Sequence, residues 1–162
     1  ITAHCPTLTA LTDDYHCDTP VSYTFSQVRD LISNLSLHLH SMGLTTNSKA
    51  SLFAENSAHW LISDHAVQSL SAATAVRGAD APLDELRYIY THSDSTLAIL
   101  QGPKLLAKLA KDAEDKGLPG AAGLASKDGD ICSNIVLINR DKHTDADLAT
   151  LISSHPSLSS SK

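Results

Sequence analysis

Four short apolar runs set what this chain can fold into: ASLFA (50–54), AATAV (72–76), TLAIL (96–100) and NIVLIN (134–139). ASLFA, a short apolar run without alternation, reads most simply as a strand buried on both faces, and the other three runs read as further strands. A segment with helical spacing follows each of the first three. Strands separated by helices cannot pair as hairpins; they return by crossovers and lie parallel, with right-handed connections. The expected fold is therefore α/β, a parallel sheet with flanking helices.

The helical segments carry their own start and stop signals. Thr24 and Gln27 have capping-box spacing, and Val28, Leu31, Ile32, Leu35, Leu39 and Met42 follow a helical period up to Gly43, a left-handed stop. Asn56 or Ser57 can cap a helix from Ala58 to Ser71. Arg77-Gly78 ends the second strand, and Pro82 suits the first turn of a helix running through LDELRYIYTHS. Residues 103–117 form an amphipathic helix with Leu105, Leu106, Leu109 and Ala113 inward and Gly117 as its end. Three stretches differ in character. Residues 1–19 read as a loosely ordered lead-in, 20–152 as the domain, and 153–162 as a low-complexity tail.

The chain has 162 residues, enough for one domain with a proper core. Its 12 Lys and Arg stand against 18 Asp and Glu, a net charge of −6 that argues against nucleic acid as a partner. Three cysteines (Cys5, Cys17, Cys132), without a C-x-x-C pair, fit a reducing compartment, so an intracellular location in cytoplasm or plastid is expected. No apolar run is long enough for a transmembrane segment. The first residue is Ile, which suggests a segment of something longer or a processed product.

No candidate site stands by itself. His59 and Asp64 make an H-x-x-x-x-D pattern similar to the pair used by glycerolipid acyltransferases, but five residues of helix turn about 500°, which leaves the side chains about 140° apart. Cys5, His16 and Cys17 lack the further ligands of a structural zinc site, and His38 and His40 point to opposite sides of one helix. The seven glycines form no phosphate-binding pattern, so GLPGAAG (117–123), with Lys127 outside any such spacing, reads as a flexible connector. No G-x-S-x-G elbow marks a nucleophilic serine. The lysines and acids of 104–116 read as a solvated face, with Asp112 and Lys116 as an i, i+4 pair.

Residues 23–100, taken in order, resemble the N-terminal part of the AMP-forming acyl-activating (adenylate-forming) enzymes. The succession Y-T-F-S-Q-V, E-N-S-x-x-W-x-x-x-D, A-V-R-G, D-E-L-x-Y-I and H-S-x-S carries the resemblance. It is similar to the long-chain acyl-CoA and acyl-acyl-carrier-protein synthetase branch, and A-V-R-G resembles the plastid and cyanobacterial members. The resemblance implies an incomplete N-terminal subdomain of that fold. It also implies that the intact enzyme uses ATP and Mg to make an acyl-adenylate from a fatty acid and passes the acyl group to coenzyme A or acyl carrier protein. The family's phosphate loop, T-S-G-T-T-G-x-P-K-G, is not in this chain. DADLATLI (145–152) resembles the strand that leads into the loop, yet SSHPSLSSSK follows. In the resembled fold Glu55-Asn56-Ser57 is a strand-to-helix corner, Trp60 packs its helix on the sheet, and Asp64 is structural or satisfied by backbone neighbours. The expectation is a segment with no catalytic, cofactor-binding or metal residues of its own, binding neither ATP nor Mg alone. A stand-alone, non-catalytic α/β interaction module is the alternative.

Overall fold

The structure, a computed structural model, describes residues 4–14 and 19–138. The elements run β1 (Thr9–Asp13), β2 (Val21–Thr24), α1 (Phe25–Ser41), β3 (Lys49–Phe53), α2 (Ala58–Ser69), β4 (Ala73–Arg77), α3 (Leu83–Ser93), β5 (Leu97–Leu100), α4 (Pro103–Lys116) and β6 (Ile135–Leu137). Strands β3 to β6 form one parallel sheet in the order β4-β3-β5-β6. Ala50 sits opposite both Thr74 and Leu97, which fixes the register of the centre.

The two central strands, β3 and β5, are buried on both faces, while β6 is half-buried and the edge strand β4 runs from half-buried to exposed; the pleat divides the central side chains between two cores. Ala50, Leu52 and Ala54 of the β3 run join Leu97 and Ile99 under α1 and α2, with Leu39, Leu44, Ala66 and Val67. Phe53 joins Ala98 and Leu100 under α3 and α4, with Leu86, Tyr90, Leu105, Leu106 and Leu109. Alternate residues face opposite ways, so uninterrupted apolar runs are what two buried faces require. Full burial of each Leu, Ile or Phe contributes roughly 1.5–3 kcal/mol. Ser51, also buried, faces the α3 side, where its hydroxyl donates to Ser95 Oγ at 2.9 Å.

Local signals are realised closely in α1. Thr24 Oγ1 accepts the Gln27 N–H, the Gln27 side chain accepts the Thr24 N–H, and Gly43 has φ +94°. Leu39 is the buried centre of its stripe; Ile32, Leu35 and Met42 are half-buried, and Leu31 is exposed. Three differences from the sequence reading have physical causes. Part of the presumed lead-in is β1, paired antiparallel with β2. Its Thr and Leu side chains give only a weak alternation, and long-range pairing stabilises what local propensity does not. Pro82 is the N-cap of α3, with ψ 136°, so its ring precedes the helix and the first turn begins at Leu83. Helix α2 ends at Ser69, and Ser71 turns the chain with φ 55°.

The presumed flexible connector is packed. Ala121, Ala122 and Leu124 are buried, and Thr91 Oγ1 donates to the Ala125 carbonyl at 2.7 Å. Gly123, at φ +61°, passes so close to α3 that a Cβ there would lie 2.9 Å from Arg87 Nε. Only glycine meets both conditions at low strain. DADLATLI, the 153–162 tail, His16 and Cys17 lie outside the described residues.

Candidate functional site

From β3 the chain crosses to β4 on one side; α3 then carries it back past β3 to β5 on the other. Connections that diverge in this way leave a crevice outside the carboxyl ends of the two central strands, where open α/β sheets bind ligands. Here the crevice measures about 370 Å³ and is lined by Glu55, Ala79, Asp80, Gln101, Lys104 and Lys108, with Gly102 and Leu105 at its floor.

Two side chains fix its rim. Gln101 continues β5 by donating its N–H to the Phe53 carbonyl at 2.9 Å, and its Oε1 accepts the Glu55 N–H at 2.9 Å. Glu55 Oε1 in turn accepts the Ala79 N–H at 3.1 Å. The ends of β3, β4 and β5 are thereby joined through hydrogen bonds to otherwise open backbone donors. Gly78 allows this closeness: a Cβ there would meet Asp80 Oδ1 at 2.9 Å and Glu55 Oε1 at 3.3 Å. One wall is thus acidic, with Glu55 and Asp80, and the other basic, with Lys104 and Lys108 one turn apart on α4. The lining has no Ser, Cys or His to serve as nucleophile with a base, so it offers charge and hydrogen bonding rather than covalent chemistry.

The residues weighed from sequence are dispersed. His59 lines an apolar cavity of about 260 Å³ between α1, α2 and β6, beside Leu31, Leu35 and Ile62. Asp64 faces elsewhere: its oxygens accept from Thr74 Oγ1 at 2.5 Å and Gln68 Nε2 at 2.6 Å. Its partners are side chains, which fits the structural role, one of the two expected for it, and His59 and Asp64 form no pair. Trp60 is half-buried against the α1–α2 core rather than fully enclosed. His40 Nδ1 lies 3.3 Å from the Leu44 carbonyl, and among the described residues no three His, Cys, Asp or Glu side chains are placed to hold a metal. Cys132 is buried beside Tyr90; burial raises the pKa of both, which leaves the thiol inert.

Sequence reasoning missed the anchor of the α3–α4 pair. Arg87 is buried and donates to Asp112 at 2.5 Å, Asp84 at 3.3 Å and the Leu109 carbonyl at 3.1 Å. Lys116 reaches Asp84 at 2.7 Å and Asp112 at 3.2 Å, so the i, i+4 pair read from sequence is one edge of a four-residue network. The hydrogen bond from Arg87 is the main cause that holds the Asp112 carboxyl below its usual range; the one from Lys116 does the same for Asp84. An Arg three residues after Asp84 on the helix was the available signal.

Comparison with known proteins decides the family. The sequence pattern of the AMP-binding enzyme family matches residues 2–156. The chain belongs to the AMP-binding enzyme family. Over 107 residues it is 34% identical to the chloroplastic long-chain-fatty-acid–[acyl-carrier-protein] ligase AEE15 of Arabidopsis thaliana, and over 110 residues 32% identical to the chloroplastic probable acyl-activating enzyme 16 of that plant. These matches cover 66% and 68% of this chain and 15% of each relative. The chain therefore spans about 15% of the length of the curated relatives it matches.

Among solved structures, a fatty acyl CoA synthetase of Mycobacterium tuberculosis superposes with TM-score 0.65 at 17% identity, over 95% of this chain and 26% of that one. The N-terminal domain of FACL13 from the same organism gives 0.64 at 16%, over 95% and 34%. The α/β sheet of this AMP-binding family member thus has the fold of those N-terminal domains. No helix among its described residues is long and apolar enough to cross a membrane.

Proposed function

We propose that this chain is the N-terminal part of an ATP-dependent fatty acid ligase, which forms an acyl-adenylate and then a thioester with coenzyme A or acyl carrier protein. The 34% identity to a long-chain-fatty-acid–[acyl-carrier-protein] ligase is the observation that carries the reading. In it, residues 20–152 form the partial N-terminal domain, joined by β1 from within the 1–19 lead-in, and 153–162 trail. The plastid, named for both curated relatives, is the favoured location over the cytoplasm.

The role of this stretch is scaffold. Adenylation needs stabilisation of a pentavalent phosphorus by metal and fixed donors, and a backbone cradle for phosphate. The described residues fit such a group poorly. Gly102 is the only glycine in the crevice lining, the facing wall carries two carboxylates, and no metal-holding cluster occurs among them. The segment supplies the packed sheet and the rim fixed by Glu55 and Gln101, binds neither ATP nor Mg alone, and holds no catalytic residue.

Reading the transcript downstream of this stretch tests the proposal. A T-S-G-T-T-G-type loop within a few tens of residues is the expected result. An in-frame stop directly after Lys162 would favour a stand-alone, non-catalytic interaction module.

A further inference from the structure

The structure divides the α4 lysines, read from sequence as one solvated face, into two sets. Lys116 is held by Asp84 and Asp112. Lys104, Lys108 and Lys111 are exposed, and among the described residues none of the three has an ion-pair or hydrogen-bond partner. Their i, i+4, i+7 spacing puts them on one side of the helix, spread over about 10 Å, with the exposed Asp115 bounding that side one turn beyond Lys111.

This concentration is unusual on a chain of net charge −6. Lys104 also lies in the first turn of α4, where the positive end of the helix dipole disfavours a cation, and that turn has no acid. Helix α3 follows the ordinary rule, with Asp84 and Glu85 in its first turn. Lys104, the first of the three, is thus held against the helix's own electrostatics, as happens where a surface serves recognition rather than stability.

The geometry also selects the kind of partner. A small anion inside the crevice would meet Glu55 and Asp80 on the opposite wall, and Lys111 does not line that space. Three ammonium groups spread along two turns do not converge on a single phosphate. They match an extended surface with several carboxylates. Duplex nucleic acid, which affects its partner over a longer range, is opposed by the net negative charge.

We propose that the Lys104–Lys108–Lys111 face of α4 docks an acidic protein surface, that of a carrier protein presenting the acceptor thiol. The proposal rests on the ligase reading and narrows its acceptor.

The test titrates the 162-residue chain with purified acyl carrier protein and follows binding by heteronuclear NMR. Saturable shifts centred on α4 are expected, weakening as salt rises from about 50 to about 300 mM. Affinity should fall at least about tenfold in K104E/K108E/K111E and by a smaller factor in the neutral K104Q/K108Q/K111Q, while K127E stays within about twofold. Retained amide dispersion checks folding, and all three sites are exposed. Absence of binding by the unsubstituted chain, or unchanged affinity in both triple variants, would overturn the proposal. So would competition by coenzyme A or duplex DNA that is lost with the same lysines. Because binding is read without catalysis, the two ideas fail separately. Lysine-dependent docking with no ligase activity in the longer protein refutes only the ligase reading; carrier-protein acylation indifferent to the reversals refutes only the docking face.

Discussion

Asp13 Oδ2, at the end of β1, accepts the backbone N–H of Ala58 at 2.9 Å, across 45 residues of chain. Ser57 Oγ accepts the Trp60 N–H at 3.1 Å, so two of the open donors of α2 are satisfied from different elements. The β1–β2 pair is thereby fastened to the corner at Glu55-Asn56-Ser57. Asp13→Ala should destabilise the domain by about 1–2 kcal/mol, the range for loss of a cap with a buried donor left open. Asp13→Asn, which keeps an acceptor, should cost less. Urea midpoints of the two variants check the order, and equal loss in both would contradict the capping role.

The Arg87–Asp112–Lys116–Asp84 network makes stability depend on pH in a defined direction. Asp84 and Asp112 have folded-state pKa values lowered from 3.8, so their contribution is full above that value and is lost as pH falls through the folded values. Lys116 is raised from 10.5, mainly by its hydrogen bond to Asp84; its contribution is full below that value and is lost as pH rises through the folded one. The network's contribution should be flat from roughly pH 5 to 9 and should decline at both ends. Urea midpoints of the parent and Arg87→Met across this range measure it. A parent–variant difference that does not shrink below about pH 3.5 would show that the acids contribute nothing.

Much of the fold was legible because its signals are local. The β3 and β5 runs show in sequence as apolar stretches because both faces are buried, and Thr24, Gln27, Gly43 and Gly117 mark helix ends through their own backbone requirements. What escaped notice depends on contacts distant in sequence. Nothing near Asp13 announces Ala58, nothing near Gln101 announces the Glu55 N–H, and nothing in GLPGAAG announces Arg87 above Gly123. The crevice was illegible for the same reason: it exists only once strand order is known, and no motif encodes strand order.

Burial ranks the large side chains. Phe53 is fully enclosed and Trp60 only half-buried, so Phe53→Ala should cost about 3–5 kcal/mol and Trp60→Ala about 2 kcal/mol. His59→Ala, at the wall of an apolar cavity, should cost less than either. Denaturant melts of the three variants give the ranking, and a His59→Ala loss as large as that of Phe53→Ala would mean that α2 is packed differently.

The most direct measurement is fatty-acid-dependent ATP–pyrophosphate exchange, run side by side on the 162-residue chain and on the polypeptide extended along its own coding sequence. Forming an acyl-adenylate reversibly is the reaction proposed for the whole ligase and proposed to be beyond this stretch by itself. The extended polypeptide is expected to show exchange that is abolished when the acid is omitted, and the 162-residue chain none above the enzyme-free blank. Acid-dependent exchange by the 162-residue chain, or none by the extended polypeptide with any long-chain acid, would contradict the proposal.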